Sequence, residues 1–304
     1  MAVKTVQAVI NGVTTTLTYN STSKKYEATI TAPATSSYNN NDGHYFPVTI
    51  KATDEAGNVT TKNDTDATLG SSLQLRVKEK TAPAITITYP TASALIINNK
   101  PAIRWKVTDN DSGVNPDTIG ITIDSGSKVT GSAITKTAIT GGYDCTYTPT
   151  TALADGSHTI KIDAADNDGN AATQKSVTFK IDTVPPTLSV TAPVNGLITN
   201  KAARTVTGTT NDITSSPVTV TVKLNSGSAE AVTVGADGSF SKALTLVSGG
   251  NTITVVATDS AGKSTTVTRT VTLDTVAPTI KAVTLTPNPV DAGKTYVISV
   301  EVTD

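Results

Sequence analysis

The 304-residue sequence has one cysteine, one methionine, one tryptophan and two histidines. A single thiol, Cys145, cannot close an internal disulfide, so stability has to come from packing. Two histidines, His44 and His158, leave little material for general-base catalysis or a zinc site. Aromatic residues are 4% of the chain, too few to supply the surface aromatics of a typical sugar-binding face. Neither sign of charge prevails: 24 basic residues stand against 25 acidic ones. That balance excludes the basic face that nucleic acid or an anionic membrane requires. No run of 18 apolar residues is present, so no membrane-spanning helix is expected. Met1-Ala2-Val3-Lys4 leads straight into an alternating segment, without the basic and apolar stretches of a Sec-type signal peptide. Serines are many, yet no Gly-x-Ser-x-Gly elbow occurs. These shortages argue against an enzyme.

What the chain has in excess is threonine, 60 residues of it. Thr, Val and Ile dominate, as strands prefer, and no segment carries a convincing helical period. Three junctions recur: Lys80-Thr81-Ala82-Pro83, Asp182-Thr183-Val184-Pro185-Pro186 and Asp274-Thr275-Val276-Ala277-Pro278. The same step along the chain from Pro83, Pro186 and Pro278 lands on Asp109, Asp212 and Asp304. Each junction opens an apolar strand, with Ile85/Ile87, Leu188/Val190 and Ile280/Val283.

A second signature follows. Val48-x-Ile50-x-Ala52-x-Asp54, Ile160-x-Ile162-x-Ala164-x-Asp166 and Ile253-x-Val255-x-Ala257-x-Asp259 alternate with period two and run into Gly57, Gly169 and Gly262. Strand, glycine turn, strand reads as a hairpin. The returning strands are read at Leu73/Leu75/Val77, Val177/Phe179/Ile181 and Val271/Leu273. The spacing predicts an all-β chain of tandem immunoglobulin-like β-sandwich domains joined by short Pro-containing linkers, a semi-rigid rod. Its parts are an N-terminal unit over 1–80, domains over 81–182 and 183–274, and a two-strand segment over 275–304.

The Asp-Thr-x-x-Pro junctions, the Ala-x-Asp-x-x-Gly-Asn turns and Leu153-x-Asp155-Gly156-Ser157-His158 resemble bacterial Ig-like tandem repeats. The segments 6–12 and 287–300 resemble prophage tail-associated proteins of Gram-positive bacteria. The resemblance implies a non-enzymatic structural protein, a phage or prophage virion component in a tail, fibre or decoration, facing the exterior. A cell-surface adhesin or stalk is the alternative. A carbohydrate-binding module that takes a host-surface glycan is the weaker one.

Matching the first unit to the third pairs Ile10-Asn11 with Leu224-Asn225, and Lys25-Tyr26 with Ser239-Phe240. Unit one then begins at the third strand of the pattern, and residues 279–304 supply only the first two. Ile280, Val283, Leu285, Ile298, Val300 and Val302 are the candidate assembly residues. They would complete unit one of another copy head-to-tail, or engage another virion protein. The open alternatives are a chain that ends within a fourth repeat and a first unit with a self-sufficient topology.

Asp109-Asn110-Asp111 and Asp166-Asn167-Asp168 are the most metal-like stretches. Calcium takes six to eight oxygens, and clustered Asp in turns can supply several. Asp109, Asp111, Asp166 and Asp168 are the candidates, with calcium the only cofactor considered. Against this stands the ordinary use of Asp and Asn as turn formers. Cys145 and Trp105 lie in alternating strands and read as core.

Overall fold

The computed structural model describes residues 2–304 and contains strands, turns and two short 3-10 turns, with no α-helix among the described residues. No helix is long and apolar enough to cross a membrane. The chain divides into two compact units, one ending at Ile181 and the other beginning at Asp182.

The first unit opens with β1 (Val3–Ile10), β2 (Val13–Asn20), β3 (Lys25–Glu27), β4 (Phe46–Asp54), β5 (Val59–Lys62) and β6 (Gln74–Leu75). They form one sheet in the order β3-β2-β1-β4-β5, with β6 on β4. Val6, Ala8 and Ile10 face one side with Leu17, Ile50 and Val48, which lie opposite them in register. Thr14, Thr16, Thr49 and Lys51 face the other side, as period-two alternation demands. Of the apolar residues in this sheet and its loops, only Val6, Ala8, Phe46 and Leu73 are buried.

One expectation is corrected here. The strand returning from the Gly57 turn is β5, at Val59–Lys62, and not Leu73/Leu75/Val77. Side chains at 63 and 66 divert the chain. Asn63 accepts the Thr65 N–H, Asp66 accepts those of Thr68 and Leu69, and Lys62 pairs with Asp66. The excursion ends in a 3-10 turn at Gly70–Leu73, and β6 then meets Phe46 and Pro47 at the far end of β4.

The same unit continues with β7 (Ala84–Tyr89), β8 (Leu95–Ile96), β9 (Ile103–Thr108), β10 (Val114–Ile123), β11 (Thr135–Ile139), β12 (Gly142–Tyr147), β13 (Gly156–Asp166) and β14 (Lys175–Ile181). Two four-stranded sheets result, β10-β13-β14-β8 and β11-β12-β9-β7. Between them lies a core in which Trp105, Phe179, Ile103, Ile160 and Ile162 are fully buried. Cys145 is a buried member of this core, and burial pushes its thiol up to about 11.

His158 sits on the rim of that core with both ring nitrogens bonded. Nδ1 meets the Asp124 carboxylate at 2.8 Å and Nε2 meets the Ala154 carbonyl at 2.7 Å. Burial pulls its pKa down, but the carbonyl and the carboxylate outweigh it, and the net shift is upward. A raised histidine stabilises the fold below its unfolded pKa of about 6.5, and that contribution is lost as pH rises through the folded value. Unfolding followed by Trp105 fluorescence is expected to show a stability decline above about pH 6.5 that His158→Asn lacks. Identical pH profiles would rule this out.

The second unit contains β15 (Thr187–Ala192), β16 (Leu197–Thr199), β17 (Ala203–Asn211), β18 (Thr219–Leu224), β19 (Glu230–Val232), β20 (Ser239–Thr245), β21 (Gly249–Thr258) and β22 (Ser264–Leu273). Its sheets are β15-β17-β20 and β16-β22-β21-β18-β19, enclosing Val206, Val220, Val255, Ile253 and Phe240. The two sandwiches solve one packing problem in opposite ways. Trp105 lies opposite Cys145, large against small, whereas Gly208 lies opposite Phe240, small against large. A Cβ on Gly208 would stand 2.2 Å from the Ser189 carbonyl oxygen and 2.5 Å from the Phe240 ring. Gly208→Ala is therefore expected to cost roughly 1–3 kcal/mol, read from the chemical-denaturation midpoint. A neutral result would mean that the ring has room to move.

Finally, β23 (Thr279–Thr286) and β24 (Val297–Thr303) form a two-stranded hairpin. Every residue from Asp274 to Asp304 is exposed.

Candidate metal centre

The hairpin turns after β4, β13 and β21 are built alike. Asp54, Asp166 and Asp259 each accept the backbone N–H four residues on, at 2.8, 2.7 and 2.9 Å. Each turn closes on a glycine with positive φ, at Gly57, Gly169 and Gly262, a conformation that spares glycine the strain of a Cβ. In the first two turns an asparagine also donates its side-chain amide to the second carboxylate oxygen: Asn58 to Asp54 and Asn170 to Asp166. Lys263 replaces that asparagine in the third turn. There Oδ2 of Asp259 is buried and has no hydrogen-bond partner.

These turns meet a second acid at the end of the second long strand. Asp109 accepts the N–H groups of Asp111 and Gly113, and Asp212 accepts those of Thr214 and Ser215. A third acid comes from the segment entering each sandwich. Glu79 joins Asp109 and Asp166, and Asp182 joins Asp212 and Asp259; in each trio one oxygen per residue lies within 4.8 Å of the others. Asp166, Asp182 and Asp259 are almost wholly buried, at 1%, 1% and 5% exposure. Burial pushes the Asp109 carboxyl up, and the neighbouring Glu79 adds to the shift.

Hydroxyls accompany both trios. Ser215 donates to Oδ2 of Asp182. Ser112, whose backbone N–H donates to Glu79 at 3.0 Å, is fully buried with a hydroxyl that finds no partner. Three carboxylates packed this closely repel, and a buried acceptor without a donor is costly. An all-oxygen set of this kind suits a hard divalent cation, calcium first. The donor set therefore fits calcium on two counts, its chemistry and its orphaned buried oxygens.

The four acids singled out in the sequence do not act together. Asp109 and Asp166 meet in the first trio. Asp111 and Asp168 instead fasten the N-terminal sheet segment to the following sandwich. Asp111 accepts the Ser36 N–H at 2.8 Å, and Asp168 accepts the Glu79 N–H at 3.0 Å. Glu79 and the whole trio Asp182–Asp212–Asp259 escaped the sequence reading. The repeat offsets already aligned Asp109 with Asp212 and Asp166 with Asp259. What was missing was the linker acid, which no motif distinguishes.

His44 takes no part in any cluster. It stacks on Tyr38 with ring centroids 4.0 Å apart, and its Nδ1 faces the Tyr38 carbonyl.

Comparison with known proteins follows this geometry. Residues 91–183 match the family model described as a bacterial Ig-like domain. Residues 186–275 match the model described as domain B of glucodextranase. No curated protein matches the chain. The fibronectin(III)-like modules of CbhA from Clostridium thermocellum are 19% identical, over 63% of this chain and 94% of theirs, with a TM-score of 0.33. The titin fragment I67–I69 is 12% identical, over 90% of this chain and 88% of its own, with a TM-score of 0.43. Sheet order, paired cores and the bacterial Ig-like match agree: the chain is an all-β protein of tandem immunoglobulin-like β-sandwich domains.

Proposed function

We propose that the chain is a non-enzymatic structural spacer whose acidic trios bind calcium and fix the segment entering each sandwich. The observation that carries the reading is the recurrence of one trio in two successive sandwiches, with a buried, unpartnered oxygen at Asp259. Cation binding draws the entering residue, Glu79 or Asp182, onto two loops of the sandwich that follows. A chain of domains so tied resists bending at its linkers. The residues that carry this are Glu79, Asp109 and Asp166 in the first trio, and Asp182, Asp212 and Asp259 in the second.

Small-angle scattering on the full chain tests it. The maximum dimension is expected to be longer and better defined in calcium than in chelator. Superimposable curves would remove the spacer reading. The same reading gives the protein a place on the exterior of a phage particle, with a bacterial surface stalk as the alternative. Copurification with particles, against retention on the cell surface, separates the two. A second reading, an accessory module of a carbohydrate-acting enzyme, draws on the glucodextranase domain B match over 186–275; binding on a glycan array would favour it.

A further inference from the structure

We infer that the hairpin β23–β24 of one copy completes the N-terminal sheet of a second copy, supplying the two strands by which the other sandwiches cover that face. The register makes the hairpin a match for those strands. Ala84 pairs with Thr108 in β7–β9, Thr187 with Asn211 in β15–β17, and Thr279 with Thr303 in β23–β24, each pair one residue past the junction proline and one before the repeated aspartate. In the sandwiches this pair continues into a sheet, through β12 on β9 and β20 on β17. On β24 that edge is open.

One face of the hairpin carries Ile280, Val283 and Leu285 opposite Val302, Val300 and Ile298. The other face carries Thr279, Thr284, Ser299 and Thr303. The apolar six are 42–65% exposed. Ile85, Ile103, Trp105 and Val107, on the corresponding strands of the second domain, are 0–5% exposed. An amphipathic pair of strands with one apolar face in water is a surface that needs a partner.

The N-terminal sheet is the complementary half. Ile10 pairs with Val48 and Val6 with Ala52, as Leu224 pairs with Ile253 and Val220 with Ala257, so β1–β4 repeats β18–β21 residue for residue. Asn11 and Asn225 both take positive φ, as do Lys24 and Gly238 at the next matching turn. The counterpart of β20 is therefore the segment from Lys25 onward. Residues 28–33 of that segment lie outside every strand. A groove of about 190 Å³ runs between them and β1–β2, lined by Ile10, Val13, Ile30 and Ala32.

Carrying over the β17–β20 register, in which Gly208 meets Phe240 and Arg204 meets Leu244, sets Val300 against Tyr26 and Tyr296 against Ile30. The occupant is thus a second copy, added as a strand pair to an open edge. Its contact is heterologous and propagates head-to-tail. The junction would also bring Asp274 and Asp304 of one copy to Asp54 of the next, in the places held by Asp182, Asp212 and Asp259. This last point rests on the calcium reading.

The test is mass in solution, by chromatography with light scattering, on the full chain. The expected result is a mass that rises with concentration to at least twice the 31.1 kDa of one chain. Val300→Asp disables the donor face and Ile30→Asp the acceptor edge; each variant alone stays monomeric, and an equimolar mixture forms a dimer and nothing larger. Trp105 fluorescence confirms that both variants are folded. A full chain monomeric at every concentration overturns the inference, as does a mixture that fails to pair. Assembly of equal strength in calcium and in chelator overturns the shared acidic trio alone and leaves the strand exchange standing.

Discussion

Calcium is expected to raise the unfolding free energy of the sandwich that follows Asp182, and Asp259→Asn to abolish that gain. A ligand that binds only the folded state stabilises by RT ln(1 + [L]/Kd), about 2.7 kcal/mol at a hundredfold excess over Kd. For a domain of this size each kcal/mol is worth roughly 4–8 °C in Tm. Asparagine at 259 keeps the oxygen that accepts the Lys263 N–H and removes the charge that faces Asp182 and Asp212. The turn therefore survives while the cation site does not.

The chelated state gives a sharper sign. Burial raises the pKa of Asp109 above its unfolded value. A carboxyl raised on folding favours the fold at low pH, and that advantage disappears as pH rises through the unfolded value and then the folded one. At neutral pH without a cation, the ionised group burdens the fold. Asp109→Asn is accordingly expected to leave the chelated protein as stable as the parent or more so, while removing the calcium-dependent gain of its own sandwich. Differential scanning calorimetry in calcium and in chelator reads both effects. A variant that is less stable in chelator yet still gains from calcium would refute the assignment.

The other large effect lies in the core. Phe179 is fully buried on β14, beside Trp105 and across from His158. Phe179→Ala is expected to cost about 3–5 kcal/mol, the lost transfer energy plus the cavity left behind. That is a large share of the roughly 5–15 kcal/mol that holds a domain folded. Trp105 is the only tryptophan and belongs to the same core, so its fluorescence reports this sandwich alone. The denaturant midpoint followed by Trp105 should fall steeply, while a far-ultraviolet transition from the second unit stays in place. A loss under about 1 kcal/mol would mean that the core collapses around the gap, contrary to the dense packing of such interiors.

The all-β architecture could be read from the sequence because its signals are local and repeated. Ile160, Ile162 and Ala164 alternate with charged or polar neighbours, and a glycine turn follows at Gly169; the strand and its hairpin need nothing more. The register of β23 on β24 also follows from the repeat, since Pro278 and Asp304 stand as far apart as Pro83 and Asp109.

What could not be read lies in long-range closure. The returning strand of the first unit was misplaced because Leu73, Leu75 and Val77 alternate as well as Val59 and Thr61 do. Side-chain bonds from Asn63 and Asp66 decide between them, and those depend on the folded path. Likewise, Asp111 and Asp168 look like ligands by spacing, yet the chain turns them toward the backbone of Ser36 and Glu79. Glu79 is thirty residues from Asp109 and far more from Asp166, and only the sandwich brings the three together.

The most direct measurement is isothermal titration of calcium into the chelator-stripped full chain, beside Asp166→Asn and Asp259→Asn. The account predicts saturable binding at both trios in the parent and the loss of one set of sites in each variant. Heat no greater than dilution in the parent, or parent-like binding in both variants, would contradict it.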